Sequence, residues 1–426
     1  MYFDLKKYNN YKAEYICTFI VSLLPIIFFF GSGIANSLVI LLDIIFIYVL
    51  FKNKKFYFLK NNLFIFLLLF WFFLIVNLFN SINFENSLLR TIGFFRFIIF
   101  IYAIQFFFNE ENKNYKKIIL NSWSILVLII SIDLIFESIF GSNILGFKSY
   151  MPGRLSGFFN QELKIGNLYS AFYLIVLSYL LYLESNKTFS TSKLSQQIYN
   201  IVKNNYFYFL IIIFIVISAL IGERSNLIKV LLMSIIFIFF VRSKFASKLK
   251  IFIFTILFFS ILLVSSKNYH WRYWEVFIKP VISNPIEYIN KSHYGSHYKV
   301  AIDVFKNNKL FGVGLKNYRI EVKKDKYAGK LSSIHPHQIH FEILAELGIF
   351  GYLFFISFML VNLYLSIKSF FKTKNYFVLA GFLYVMAALI PILPSGSFFT
   401  SFGATFFWMN FALMTSALNS YKENPK

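Results

Sequence analysis

Apolar runs long enough to cross a bilayer as helices follow one another from about residue 15 to residue 265, and resume from 341 to 418. A chain of 426 residues that is 58% hydrophobic and 14% charged is expected to be an integral membrane protein rather than a soluble enzyme. Twelve spans can be drawn: 15–30, 34–51, 61–79, 88–108, 118–138, 166–184, 205–222, 225–241, 249–265, 341–367, 375–393 and 397–418. The expected fold class is therefore an all-α bundle of about twelve transmembrane helices. Spans one to nine occupy 1–265, a large loop occupies 266–340, and spans ten to twelve with a tail occupy 341–426. Lipid would not accommodate the stretch from 266 to 351, which holds all six histidines: His270, His293, His297, His335, His337 and His340.

The formal net charge of +23 would suggest nucleic acid in a soluble protein. Here the basic residues sit in alternate joints between spans, which is a topology signal and implies no nucleic-acid partner. Those joints carry Lys6, Lys7 and Lys12; Lys52, Lys54, Lys55 and Lys60; Lys113, Lys116 and Lys117; and Lys187, Lys193 and Lys203. The series continues with Arg242, Lys244, Lys248 and Lys250, then Lys368, Lys372 and Lys374, and ends at Lys422 and Lys426. The positive-inside rule then places both termini in the cytoplasm and the large loop outside. Met1–Glu14 is polar and no small-residue cleavage site follows the first apolar run, so that run reads as a retained span. The single cysteine, Cys17, excludes an intramolecular disulfide and reads as a small lipid-facing residue.

The outward joints hold few cations. Arg154 lies in a turn-rich stretch from Pro152 to Asn160, and Arg224 lies in the very short joint from Gly222 to Asn226. Span four carries Arg90 and Arg96, separated by roughly 9 Å along a helix, and ionisable residues inside spans tend to mark function. Asp43, Asp133 and Lys229 fall near span ends and are expected to meet headgroups. Arg272 sits in an aromatic cluster of Tyr269, Trp271, Tyr273 and Trp274 suited to a membrane interface. His297–Asn308 has helical spacing, with Val300, Ile302 or Val304, and Phe305 on one side. Ser332 or Ser333 is expected to cap a helix with Pro336 in its first turn and His337 near its start. Pro336 is expected to keep His335 and His337 pointing different ways.

Three chemistries compete. The histidine spacings would suit zinc, but no helical His-Glu-x-x-His accompanies them. No Gly-x-Ser-x-Gly elbow occurs, and the turn from Leu310 to Asn317 lacks the ending of a nucleotide loop. The third is transfer from a lipid-linked diphosphate, which needs permanent cations on the leaving group and a base that is neutral near pH 7. Arginines and histidines at one membrane face supply both. A transporter with Arg90 and Arg96 lining a path is the competing class, and would need internal repeats or broken helices.

Arg154-Leu-Ser-Gly-Phe-Phe-Asn160, Gly222-Glu-Arg-Ser225, Leu310-Phe-Gly-Val-Gly-Leu315, His335-Pro-His-Gln338 and Glu342-x-x-x-Glu346-x-Gly348-x-x-Gly351 occur in that order. Together they resemble the O-antigen ligase and O-antigen polymerase superfamily of polytopic glycosyltransferases. The resemblance implies a GT-C-like bundle in the bacterial inner membrane, with its large loop in the periplasm. It implies an undecaprenyl-diphosphate-linked glycan bound by Arg154 and Arg224, His337 as general base, and metal-independent inversion with no cofactor. Arg90, Arg96, Arg272 and His335 are the further substrate-binding candidates. The acceptor would be lipid A-core in lipopolysaccharide biosynthesis by a ligase, a second lipid-linked glycan for a polymerase, or a protein. Gln338 stands in place of the family's usual Asn and Gln161-Glu162 in place of its Pro-Asn. Glu223 replaces a small residue and is expected to offset Arg224 in part.

Overall fold

The computed structural model describes residues 12–185, 206–241, 245–327, 330 and 333–419, and among these all regular structure is helical. In chain order the helices are α1 (Lys12–Ser22), α2 (Ser32–Lys52), α3 (Asn62–Leu78), α4 (Phe84–Phe108), α5 (Lys113–Phe140), α6 (Ile165–Ser185) and α7 (Tyr206–Ile221). They continue as α8 (Arg224–Phe240), α9 (Phe245–Ser265), α10 (Pro285–Lys291), α11 (His293–Asn307), α12 (Ile339–Thr373), α13 (Tyr376–Ala388) and α14 (Ser401–Asn419). By length and composition α2, α4, α5, α6, α9 and α12 can cross a membrane, and α3, α7 and α13 are shorter apolar helices.

Each drawn span contains a helix, with two informative shifts. The first ends early, at Ser22, and continues as a turn and a 3-10 segment, Ile27–Phe30. Pro25 explains this, because it lacks the N–H that would bond back to Val21. The fourth starts early, at Phe84, because the Asn83 side chain accepts the Asn86 N–H at 2.9 Å and caps it. The basic residues Lys6, Lys7, Lys187, Lys193, Lys203, Arg242, Lys244, Lys422 and Lys426, and Ser332, lie outside the described residues.

Contacts group the chain into two units, the first from 1–119, 286–374 and 388–426, the second from 120–285 and 375–387. In the first, α4 packs along α3 and α14, with Phe94 edge-on to Trp408 at 5.7 Å. Its longest helix, α12, is two pieces joined at Gly348, whose φ of 67° and ψ of −168° interrupt the ladder. The carbonyls freed at the break are taken up by the glycine turn: Val313 N–H donates to Ala345 at 3.0 Å and Gly314 N–H to Glu346 at 2.9 Å. On the far side of the break, Ile349 N–H donates to the Lys309 carbonyl at 2.8 Å. A Cβ on Gly348 would run into the Leu310 carbonyl, so both the positive φ and the close approach require glycine. Helix α11 packs on the N-terminal piece over a small core that includes Val300, Ala301, Val304 and Ala345, while Ile302 and Phe305 are only half-buried.

In the second unit, α7 packs against α6, α8 and α9, and α8 also meets α6. The loop between α5 and α6 is pinned by two carboxylates of α5. Asp133 accepts the Ile144 N–H at 2.9 Å, and Glu137 accepts those of Ser156 and Gly157 at 3.0 and 2.7 Å. Asp133 is thus a buried loop anchor rather than a headgroup contact. Asp43 and Lys229 are also buried, as is Cys17, which faces helix neighbours and not lipid. Hydropathy windows fail at these positions because one polar side chain barely lowers the mean of a long apolar run.

Candidate functional site

The second unit gathers three arginines through a close meeting of two loops. Gly153 and Gly222 both take positive φ, 70° and 74°, and a Cβ on Gly222 would collide with the Gly153 carbonyl. The loops are therefore pressed backbone to backbone, with Leu155 N–H donating to Ile221 O at 3.1 Å. This sets Arg154, the residue after Gly153, and Arg224, two after Gly222, in one neighbourhood. A third side comes from the turns after α9, where His270–Ile278 winds as a π-helix. Tyr269 and Tyr273 stack at 6.3 Å and donate to the Leu220 and Ala219 carbonyls, both at 2.7 Å, while Arg272 Nε donates to the Gly222 carbonyl. The last carbonyls of α7 are thereby satisfied by side chains. Of the four aromatics expected at the interface, only Trp271 and Trp274 are exposed; the tyrosines are cap residues.

Arg154 Nη2 donates to the Leu163 carbonyl at 2.7 Å and lies 3.4 Å from the Glu223 carboxylate. Glu223 thus pairs with Arg154, not with Arg224 as its adjacency in sequence suggested. Arg224 opens α8, donates to the Val276 carbonyl at 3.2 Å and lies over the Phe277 ring. Burial, with repulsion from Arg154 and Arg224, lowers the Arg272 guanidinium to about 10, so it stays cationic at neutral pH. Three like charges with one carboxylate among them form a site that an anion would complete.

The first unit gathers imidazoles. His337 takes φ of 59°, outside the helix that follows, and the cap of α12 is Gln338, whose side chain accepts the His340 and Phe341 N–H groups at 2.6 and 3.3 Å. Ser333 does not cap; its hydroxyl meets His337 Nε2 at 3.2 Å. The left-handed turn also overturns the expectation for Pro336, because it folds the His337 ring onto His335, with centroids 3.9 Å apart. His297 of α11 stacks on the other face at 5.2 Å, and Tyr294 stands edge-on at 5.7 Å. Burial and the neighbouring imidazole lower His337 to about 4, and burial, His337, Arg319 and His297 lower His335 to about 3. Both rings are neutral at pH 7, the state a general base requires. Stacked rings present faces rather than converging lone pairs. Among the described residues no three His, Cys, Asp or Glu side chains are arranged for a metal ion. His270 lies 3.7 Å from Glu275, His293 opens α11, and His340 bonds the Leu389 carbonyl and Tyr352 hydroxyl; none joins the stack.

Arg90 and Arg96 line a cleft of about 170 Å³ in the same unit, with Lys316 from the glycine turn and Asn36, Phe399 and Ser401 among its walls. One short strap, 395–401, connects this cleft to the histidines. Ser395 N–H donates to the His337 carbonyl at 2.7 Å, and Glu342 accepts the Ser397 hydroxyl and, at 2.7 Å, the Phe398 N–H. Arg90 donates to the Phe399 carbonyl, and Arg96 Nη2 to Ser401 Oγ at 3.2 Å. Sequence reading missed Lys316, Arg319 and the strap. Lys316 and Arg319 follow the glycine turn three residues apart, a signal that was available, whereas nothing local marks the strap.

Residues 208–356 match the model of a protein family described as O-antigen ligase. The matched stretch contains Gly222–Arg224, Arg272, His297, the glycine turn, both stacked histidines and the break at Gly348. It supports the superfamily drawn from the motifs, and an enzyme of O-antigen ligase or polymerase type set in a membrane. Arg90, Arg96 and Arg154 fall outside it. Comparison with curated proteins gives no match.

Proposed function

With an O-antigen ligase family region as the premise, we propose that the protein transfers a glycan from an undecaprenyl-diphosphate donor to an acceptor sugar hydroxyl at the periplasmic face of a bacterial inner membrane. The proposed topology has twelve spans and both termini in the cytoplasm. Arg154, Arg224 and Arg272 hold the donor diphosphate, and guanidinium groups suit this because they bind phosphate oxygens bidentately and never lose their charge. His337 takes the proton of the acceptor hydroxyl as its oxygen bonds the anomeric carbon. The bond from that carbon to the diphosphate breaks, and the electron pair leaves on the phosphate oxygen. One displacement of this kind inverts the carbon. Charge on the leaving group is met by the three guanidinium groups, so the chain's own cations supply the stabilisation. His335, against the His337 ring, orients the base.

The observation that carries this reading is the contact of the Gly153 and Gly222 loops, which aligns cations from distant motifs. The break in α12 does not favour transport: its carbonyls are closed by the amides of Val313 and Gly314 rather than left to coordinate an ion. The acceptor is taken to be lipid A-core, as for a ligase; a second lipid-linked glycan would make the protein a polymerase. Reconstitution in liposomes with a lipid-linked glycan and each acceptor separates the two by product. His337→Ala and Arg224→Ala proteins should insert normally and lose transfer by roughly 10²-fold or more. Wild-type rates in both would refute the assignment.

A further inference from the structure

We infer that the cleft lined by Arg90, Arg96 and Lys316 is a second anion site, for a phosphate group carried by the amphiphilic acceptor; this rests on the transfer reading above. Three cations from two separate elements face it, and no carboxylate forms part of its wall. Glu342, Glu346 and Asp43 act on the two arginines electrostatically without lining the cleft. Arg96 Nε has no hydrogen-bond partner among the described residues, and the lack of a side chain at Gly93 leaves its Nη1 room. Guanidinium groups lining a walled cleft are suited to a tetrahedral oxyanion. Apolar side chains, Leu89 and Phe94 among them, share the cleft with the cations, which suits a headgroup attached to a chain more than a free ion. Arg90 and Arg96 are six residues apart on α4, roughly 9 Å, so the ligand would meet cations at two depths.

The strap gives the reason to assign this phosphate to the acceptor. The six consecutive residues from Ser395 to Thr400, with Ser401, bond the His337 backbone at one end and both arginines at the other. A phosphate held in the cleft would therefore hold its molecule in register with the base. The donor's diphosphate already has a guanidinium cluster of its own, in the other unit.

The test titrates the full chain, in nanodiscs of uncharged lipid, with dodecyl phosphate, dodecanol and inorganic phosphate. Dodecyl phosphate should bind, and Arg96→Gln and Lys316→Gln should each weaken it roughly tenfold, the loss of one charge-assisted bond. Lys316 lies in a turn outside the helices, so its variant keeps the test decisive should Arg96→Gln misfold. In the transfer assay the same variants should raise KM for a phosphorylated acceptor and leave the donor's KM unchanged. Binding indifferent to both substitutions, or equal binding of dodecanol, would overturn the proposal. Inorganic phosphate binding as tightly as dodecyl phosphate would assign the cleft to free phosphate and overturn it too. His337→Ala should still bind dodecyl phosphate. If that variant transfers normally, the base assignment fails while the titration still judges the cleft.

Discussion

The arginines of the second unit and the histidines of the first are built on opposite electrostatic plans. Each arginine is held by carbonyls or a carboxylate: Leu163 and Glu223 for Arg154, Val276 for Arg224, Gly222 for Arg272. These acceptors keep a permanent charge tolerable in a half-buried site. Among the described residues His335 and His337 receive no carboxylate. Their rings lie against each other, His337 also stacks on His297, and burial favours the uncharged forms of both. On the proposed reading, a group that holds an anion and a group that accepts a proton need contrary surroundings, and the chain offers such surroundings on different elements.

The substitution that breaks this contrast most completely is Gly222→Ala. Left-handed backbone alone costs an ordinary residue about 1–2 kcal/mol, and the added Cβ also strikes the Gly153 carbonyl. Transfer should fall by about a hundredfold or more, with donor binding lost. A reconstituted assay with measured donor affinity checks this, and retention of donor binding would show that the loops need not touch. A smaller effect sharpens the other half. With His337 lowered to about 4, free-enzyme kcat/KM should stay level from pH 7 to below pH 5 and fall only toward pH 4. His297→Ala removes one cause of the shift, so its acid limb should move upward; a wild-type limb near 6.5 would contradict the buried stack.

The smallest effect concerns the stability of the loop. A histidine with a depressed folded value binds its proton more readily when unfolded. The stack therefore contributes its full stability above 6.5 and loses it as pH falls toward 4. Hydrogen exchange around 333–341 should quicken over that window, while exchange around 269–273, which has no buried histidine, should not follow it.

Helix positions were legible because an apolar run registers in any window that covers it, and Pro25 and Asn83 account for two of the ends that moved. The cations at 154 and 224 were legible from their glycine-flanked motifs. That Gly153 and Gly222 touch was not, since the meeting spans most of two helices and leaves no local trace. Glu223 was assigned to its neighbour in sequence, whereas the folded turn aims it at Arg154. The histidine pair was misread because Pro336 restricts its own φ and the residue before it, while His337, which follows, was free to adopt the left-handed turn. Asp133 and Glu137 were masked by the greasy residues around them.

Gly348 divides α12 into a shaft and a headpiece spliced through the glycine turn. Besides the chain itself and the Tyr352–His340 bond, the bonds at 309–314 tie the headpiece to the shaft. Substitutions in that turn can thus re-aim the front of the molecule while the rod sunk in lipid stays threaded as before.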